Sequence, residues 1–133
     1  MAPDRPRTRI LVVDDEPDIV QVMRFGLEAA GHLVDTASDG QEGLQKAREL
    51  NPDLILLDLM LPKLDGYKVC RLLKFDERYK HIPIIILSAR NQGRDGELAL
   101  EMGANQFLTK PQPFAELLRR IDALLKSTST PAG

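Results

Sequence analysis

Five short apolar runs alternate along the chain with five segments in which apolar residues recur every three or four positions. Near-continuous apolar runs are the mark of parallel strands covered on both faces, and their alternation with helical segments is the pattern of repeated βα units. The pattern predicts strands over 9–14, 33–37, 54–58, 84–88 and 106–109. A first helix starts near Pro17, a residue suited to a first helical turn, shows Ile19, Met23, Leu27 and Ala30 on one face and stops at Gly31. A second follows Asp39-Gly40 and presents Leu44, Ala47 and Leu50, and a third follows Asp65-Gly66 and runs to about Phe75. The fourth covers roughly 93–102, and the fifth carries a stripe of Phe114, Leu117, Leu118, Ile121, Leu124 and Leu125. The fold class that results is α/β, a doubly wound five-stranded parallel sheet.

Length adds one constraint: 133 residues suffice for one domain with its own core. Residues 1–8 and 127–133, rich in Pro, Ser, Thr and small residues, are expected to be frayed ends, the second of them a tail or linker stub, flanking a folded unit over 9–126. The formal net charge of −2 gives no overall pull toward nucleic acid or acidic membranes. Cys70, the only cysteine, cannot form an internal disulfide and reads as a packed thiol on the third helix. Without a secretory or membrane-spanning apolar segment, a cytoplasmic protein is expected.

Candidate chemistry lies at the strand ends. The first strand delivers Asp14-Asp15-Glu16 and the third delivers Asp58. If those strands are parallel neighbours, the carboxylates meet at the edge of the sheet where open α/β folds bind ligands. At an effective dielectric of about 20, like charges about 4 Å apart repel by roughly 4 kcal/mol, so a cation must join them, either Mg²⁺ or a lysine. The chain supplies Lys110 after the fifth strand.

Taken together, Asp14-Asp15, Asp58 with Pro62 and Gly66 after it, Ser88-Ala89, Gly103-Ala104 and Lys110-Pro111 resemble the receiver domain of bacterial two-component response regulators, chemotaxis receivers included. The resemblance covers about residues 9–126 and implies the flavodoxin-like (βα)5 receiver fold. It implies that Asp58 is a phosphoacceptor, supplied by a histidine kinase or phosphotransfer protein. It also implies a Mg²⁺ site made by Asp15, Asp58 and the backbone carbonyl of Met60, with Asp14 acting partly through water. Lys110 and Ser88 would contact the phosphoryl group, and Ser88 and Phe107 would form the switch, Phe107 turning inward. Met60 and Arg90, two places past Asp58 and Ser88, would tune water access, Arg90 being long enough to fold over the site. The Lys110-Pro111 peptide resembles the family's cis bond.

Some positions depart from that pattern. Gln112 stands where an aromatic or aliphatic residue is usual. Asn105, Gln106 and Gly96 stand where the charges of the familiar dimer through helix four, strand five and helix five are found, although Arg119 and Arg120 remain available. The expectation is therefore a monomer when unphosphorylated, with no direct nucleic-acid or membrane contact, signalling to an output protein through that same face. Leu98 is expected on a solvent-facing position of helix four. The rival readings are a receiver cut from a longer regulator with an output domain, and a small enzyme. A flavin phosphate wants a Ser/Thr/Gly-rich loop where this chain has three acids. An aspartate-dependent phosphohydrolase needs a second aspartate where Met60 stands.

Overall fold

The computed structural model of the protein describes residues 8–90, 92–110 and 112–128. The chain alternates β1 (Arg9–Val13), α1 (Pro17–Ala29), β2 (Leu33–Ala37), α2 (Gly40–Leu50), β3 (Leu54–Leu57), α3 (Gly66–Lys74), β4 (Ile84–Ser88), α4 (Asp95–Glu101), β5 (Gln106–Thr109) and α5 (Phe114–Thr128). All strands are parallel, in the order β2-β1-β3-β4-β5. This is the doubly wound flavodoxin-like sheet, whose connections change direction between β1 and β3.

The two-residue period of the strands sorts their side chains between two cores. Leu11, Val13, Ile55, Leu57, Ile84 and Ile86 face one way, onto Leu44 and Ala47 of α2, Val69, Cys70 and Leu73 of α3 and Ala99 of α4. Ile10, Val12, Leu54, Leu56, Ile85 and Leu87 face the other way, onto Leu27 of α1 and Leu117 and Ile121 of α5. Every one of these is buried, which is why the strands read as unbroken apolar runs rather than alternating ones. Cys70 lies within the first core, and burial pushes its thiol up to about 12, as a packed thiol requires.

Helix starts follow local chemistry. Asp39 caps α2 by accepting the Glu42 N–H, while the Glu42 carboxylate accepts the Ser38 N–H, a reciprocal capping arrangement. Asp65 caps α3 in the same way through the Lys68 N–H. α1 has Pro17 in its first turn, and Ala30 ends it as the exposed C-cap instead of joining its buried face. α4 is shorter than the pattern predicts. Gly93, at a φ of 53°, sits in the left-handed region and cannot belong to a right-handed helix, so α4 begins at Asp95. Its Leu98 is half-buried and Leu100 is the exposed leucine, a correction to the expected solvent-facing position. α5 continues through Ser127 and Thr128, two residues past the expected boundary at 126. The Lys110-Pro111 peptide and the remaining terminal residues of the expected ends lie outside the described residues.

Candidate phosphoacceptor site

Strand register assembles the site. Val13 pairs with Leu57, so Asp14 and Asp58 leave the sheet side by side at the point where its winding reverses. Backbone bonds extend the ladder one residue past the strands: the Asp58 N–H donates to the Val13 carbonyl at 2.9 Å and the Asp14 N–H to that of Ala37 at 3.1 Å. Ser88 pairs with Thr109, and the Lys110 N–H donates to the Ser88 carbonyl at 2.8 Å, which brings the lysine in from the far side of the crevice.

Carboxylate oxygens of Asp14, Asp15 and Asp58 lie within 4.8 Å of one another. Asp14 and Asp58 are 4 % and 8 % exposed, whereas Asp15 is open to solvent. Lys110 reaches in with its Nζ 2.7 Å from Asp14 Oδ2 and 3.9 Å from Asp58 Oδ1. The second oxygen of Asp14 accepts the Glu16 N–H at 3.0 Å, so both its oxygens are engaged. Asp58 is held more loosely, its Oδ1 lying 3.5 Å from the Met60 N–H. Burial, opposed by Lys110 and reinforced by Asp14, pushes the Asp58 carboxyl up to about 6. One ammonium among three carboxylates leaves the crevice negative, and an all-oxygen donor set open to water on the Asp15 side fits a small hard cation such as Mg²⁺.

The loop after Asp58 closes tightly onto α3. The Gly66 N–H donates to the Leu59 carbonyl at 2.9 Å, and a Cβ on Gly66 would stand 2.5 Å from the Asp58 carbonyl oxygen, so no larger residue fits without moving the loop. Met60, at the lip of the crevice, is 52 % exposed.

Ser88 is fully buried, and its Oγ accepts the Arg90 N–H at 3.1 Å. Phe107 pairs with Ile86, two residues before Ser88, so the register puts Phe107 and Ser88 on one face of the sheet. Phe107 is half-buried, packed against the α2–α3–α4 core beside Gly96.

Arg90 does not fold over Asp58. Its guanidinium grips the buried carboxylate of Asp95, Nε to Oδ2 at 3.0 Å and Nη2 to Oδ1 at 2.9 Å, because a desolvated anion with a fork of donors within reach holds it more firmly than open solvent does. Sequence reading passed over Asp95 and over Tyr67, whose hydroxyl donates to the same carboxylate at 2.7 Å. An acidic residue in the first turn of a helix carries no mark that separates this role from ordinary capping. Arg119 and Arg120 stand on α5, 74 % and 41 % exposed at their side chains. Both pair with Glu116, and Arg120 also donates to Gln106 Oε1 at 3.1 Å.

A parallel sheet that delivers two aspartates, a serine and a lysine to one crevice at its winding reversal defines a phosphoacceptor signalling module, and the chain belongs to the response regulator receiver domain family, whose model matches residues 10–122. Among its relatives, the DNA-binding dual master transcriptional regulator RpaA of Synechocystis sp. is 47 % identical, over 90 % of this chain and 50 % of that protein. The alkaline phosphatase synthesis transcriptional regulatory protein PhoP of Bacillus subtilis is 45 % identical, over 93 % of this chain and 51 % of its own length. The chain thus spans about half the length of the curated relatives it matches. Among solved structures, the receiver domain of the Francisella response regulator 1452 superposes with a TM-score of 0.85 at 33 % identity, covering 92 % of this chain and all of that one. The BeF3-activated N-terminal receiver domain of RstA from Klebsiella pneumoniae gives 0.83 at 31 % identity, covering 90 % of this chain and 99 % of that one. Several relatives are by name DNA-binding regulators, so the expectation that no nucleic acid is contacted finds no support.

Proposed function

We propose that Asp58 takes a phosphoryl group from a phosphohistidine of a kinase or phosphotransfer protein, in the cytoplasm, and that the protein signals by altered partner binding. The observation that carries this reading is the loosely held, buried carboxylate of Asp58 between the acid pair and Lys110. Its oxygen attacks phosphorus, the phosphorus–nitrogen bond breaks, and the imidazole leaves. Lys110 stabilises charge growing on the phosphoryl oxygens, and Ser88 offers its hydroxyl to one of them. Asp15, Asp58 and the Met60 carbonyl would hold Mg²⁺, which when bound supplies further positive charge beside the transferring group. Ser88 and Phe107, on one face, would form the switch, with α4, β5 and α5 as the output face. Among the described residues no helix is long and apolar enough to cross a membrane.

Incubation with acetyl phosphate tests the reading directly. A Mg²⁺-dependent, hydroxylamine-labile label, lost when EDTA is added first, is expected, and a label insensitive to EDTA overturns the metal's role. The relatives of twice the length favour a second reading compatible with the first: a receiver that works within a longer regulator whose output is DNA binding.

Roles within the acid pair are separable. Asp14 already has both oxygens engaged, so it is the weaker candidate for direct ligation. Asp15→Asn is expected to weaken Mg²⁺ roughly tenfold, and Asp14→Asn less, the scale of losing one hard oxygen ligand against one partner of a ligand. Titration calorimetry decides it, and undiminished affinity in Asp15→Asn refutes the assignment.

Met60 offers no strong hydrogen-bonding group to orient an attacking water. Met60→Asn supplies one at the same lip, and the half-life of the Asp58 phosphoryl group is expected to fall by about an order of magnitude, since positioning alone has that reach. An unchanged half-life places the control of water access elsewhere.

A further inference from the structure

Asp95 is a buried anion that the acceptor chemistry does not use. Its side chain is nearly sealed from solvent, and four donors converge on it: both prongs of Arg90, the Tyr67 hydroxyl at 2.7 Å and the Gln92 N–H at 2.8 Å. These contacts, the Arg90 fork first, hold the Asp95 carboxyl well below the usual carboxylate range. Arg90 also belongs to the acceptor crevice. Its backbone N–H is bonded to Ser88 Oγ, the hydroxyl that would meet the phosphoryl group. Its guanidinium therefore has two anions to choose from: the Asp95 carboxylate and, after transfer, a phosphoryl group of nearly two negative charges on Asp58.

We propose that Asp95 is a positioning residue that withholds the Arg90 guanidinium from the phosphoryl group, so that this bidentate pair limits the lifetime of the phosphorylated state. The inference rests on Asp58 being the acceptor. In the decay step a water oxygen bonds to phosphorus, the bond from phosphorus to the Asp58 oxygen breaks, and carboxylate and inorganic phosphate result. An arginine carries five donors and no acceptor, so it cannot take the water's proton. Laid across the face of the phosphoryl group opposite the Asp58 oxygen, it fills the in-line approach that the water needs. Asp95 keeps it away because the fork is already satisfied, and Tyr67 and Gln92 keep the carboxylate aimed at it.

The test loads the full chain with acetyl phosphate and Mg²⁺, removes the donor and follows loss of label from Asp58. Asp95→Asn is expected to lengthen the half-life roughly fivefold, the scale of one net hydrogen bond. Arg90→Gln should not lengthen it, and the double variant should match Arg90→Gln. A pair that merely braces the β4–α4 loop makes the opposite forecast, because either single substitution breaks the same pair and both must move the half-life in one direction. That outcome, or an unchanged half-life in Asp95→Asn, overturns the proposal. Asp95→Ser, which keeps an oxygen for the Gln92 N–H, replaces the asparagine variant if a melting curve shows the latter unfolded. Normal labelling of Asp58 with equal half-lives in all variants refutes this inference alone, whereas a wild-type chain that takes no label on Asp58 refutes the acceptor reading and the inference with it.

Discussion

Asp58→Ala is expected to take up no phosphoryl label from acetyl phosphate, while single alanine substitutions of Asp14 and Asp15 slow uptake without moving it. The physical reason is the division of labour among the three carboxylates. Asp14 accepts from Lys110 and from the Glu16 N–H, so neither oxygen is at liberty to attack. Asp15 is exposed, and water both solvates its charge and would hydrolyse a product formed there. Of the three, only Asp58 is both buried and loosely held, at 3.5 Å and 3.9 Å, with the ammonium that steadies a phosphoryl group beside it. Its loss removes the nucleophile, and with it the whole reaction. Lys110→Met keeps the nucleophile and removes the cation, so uptake should continue at a rate lower by about a hundredfold, the scale of one preorganised charge-stabilising donor. Tryptic mapping of the hydroxylamine-labile site makes the measurement, and a stable label in Asp58→Ala shows that the acceptor is another residue.

The same burial makes Asp58 a liability to the fold. Asp58→Asn should be more stable than the wild type at neutral pH when Mg²⁺ is chelated, by about 2 to 3 kcal/mol. The carboxyl is pushed from 3.8 to about 6, roughly two units at 1.36 kcal/mol each. The sign follows from proton binding. Between about pH 4 and pH 6 the folded chain holds a proton on Asp58 that the unfolded chain has released, so stability present below pH 4 is lost as pH rises through 6. Asparagine does not titrate, so the gap between the two proteins opens across that window and closes below it. Mg²⁺ should stabilise the wild type more than Asp58→Asn, because an ion that binds the folded chain through that carboxylate shifts the equilibrium by mass action. Urea unfolding at pH 4 and pH 7 in EDTA decides the matter. Equal stability of the two proteins at pH 7 means that Lys110 compensates the buried charge fully.

Much of the fold is written in local sequence patterns. The strand runs and the helical stripes are local periodicities of two and 3.6 residues, and each strand was found to within one residue of its end. The strands expected to end in Asp14 and Asp58 stop one residue short, yet both aspartates keep a ladder hydrogen bond, so the difference has no structural weight. Helix four was harder. Its predicted start included Gly93, and only the backbone reveals a positive φ there, since a glycine tolerates either hand. Leu98, expected on a solvent-facing position of that helix, is half-buried, and Leu100 is the exposed leucine.

By itself the sequence determined the five βα units, the two-sided core and the acids at the strand ends, since each depends on residues a few positions apart. Tertiary structure alone decided which cation answers which anion. Lys110 could have faced any of the three carboxylates, and it lies closest to Asp14, 96 positions away in the chain. Arg90, expected over the phosphoryl pocket, turns instead to Asp95, whose carboxylate is buried and is also held by the hydroxyl of Tyr67, 28 positions before it. Charge pairing depends on distance and desolvation, and neither is written in the order of residues until the chain has folded.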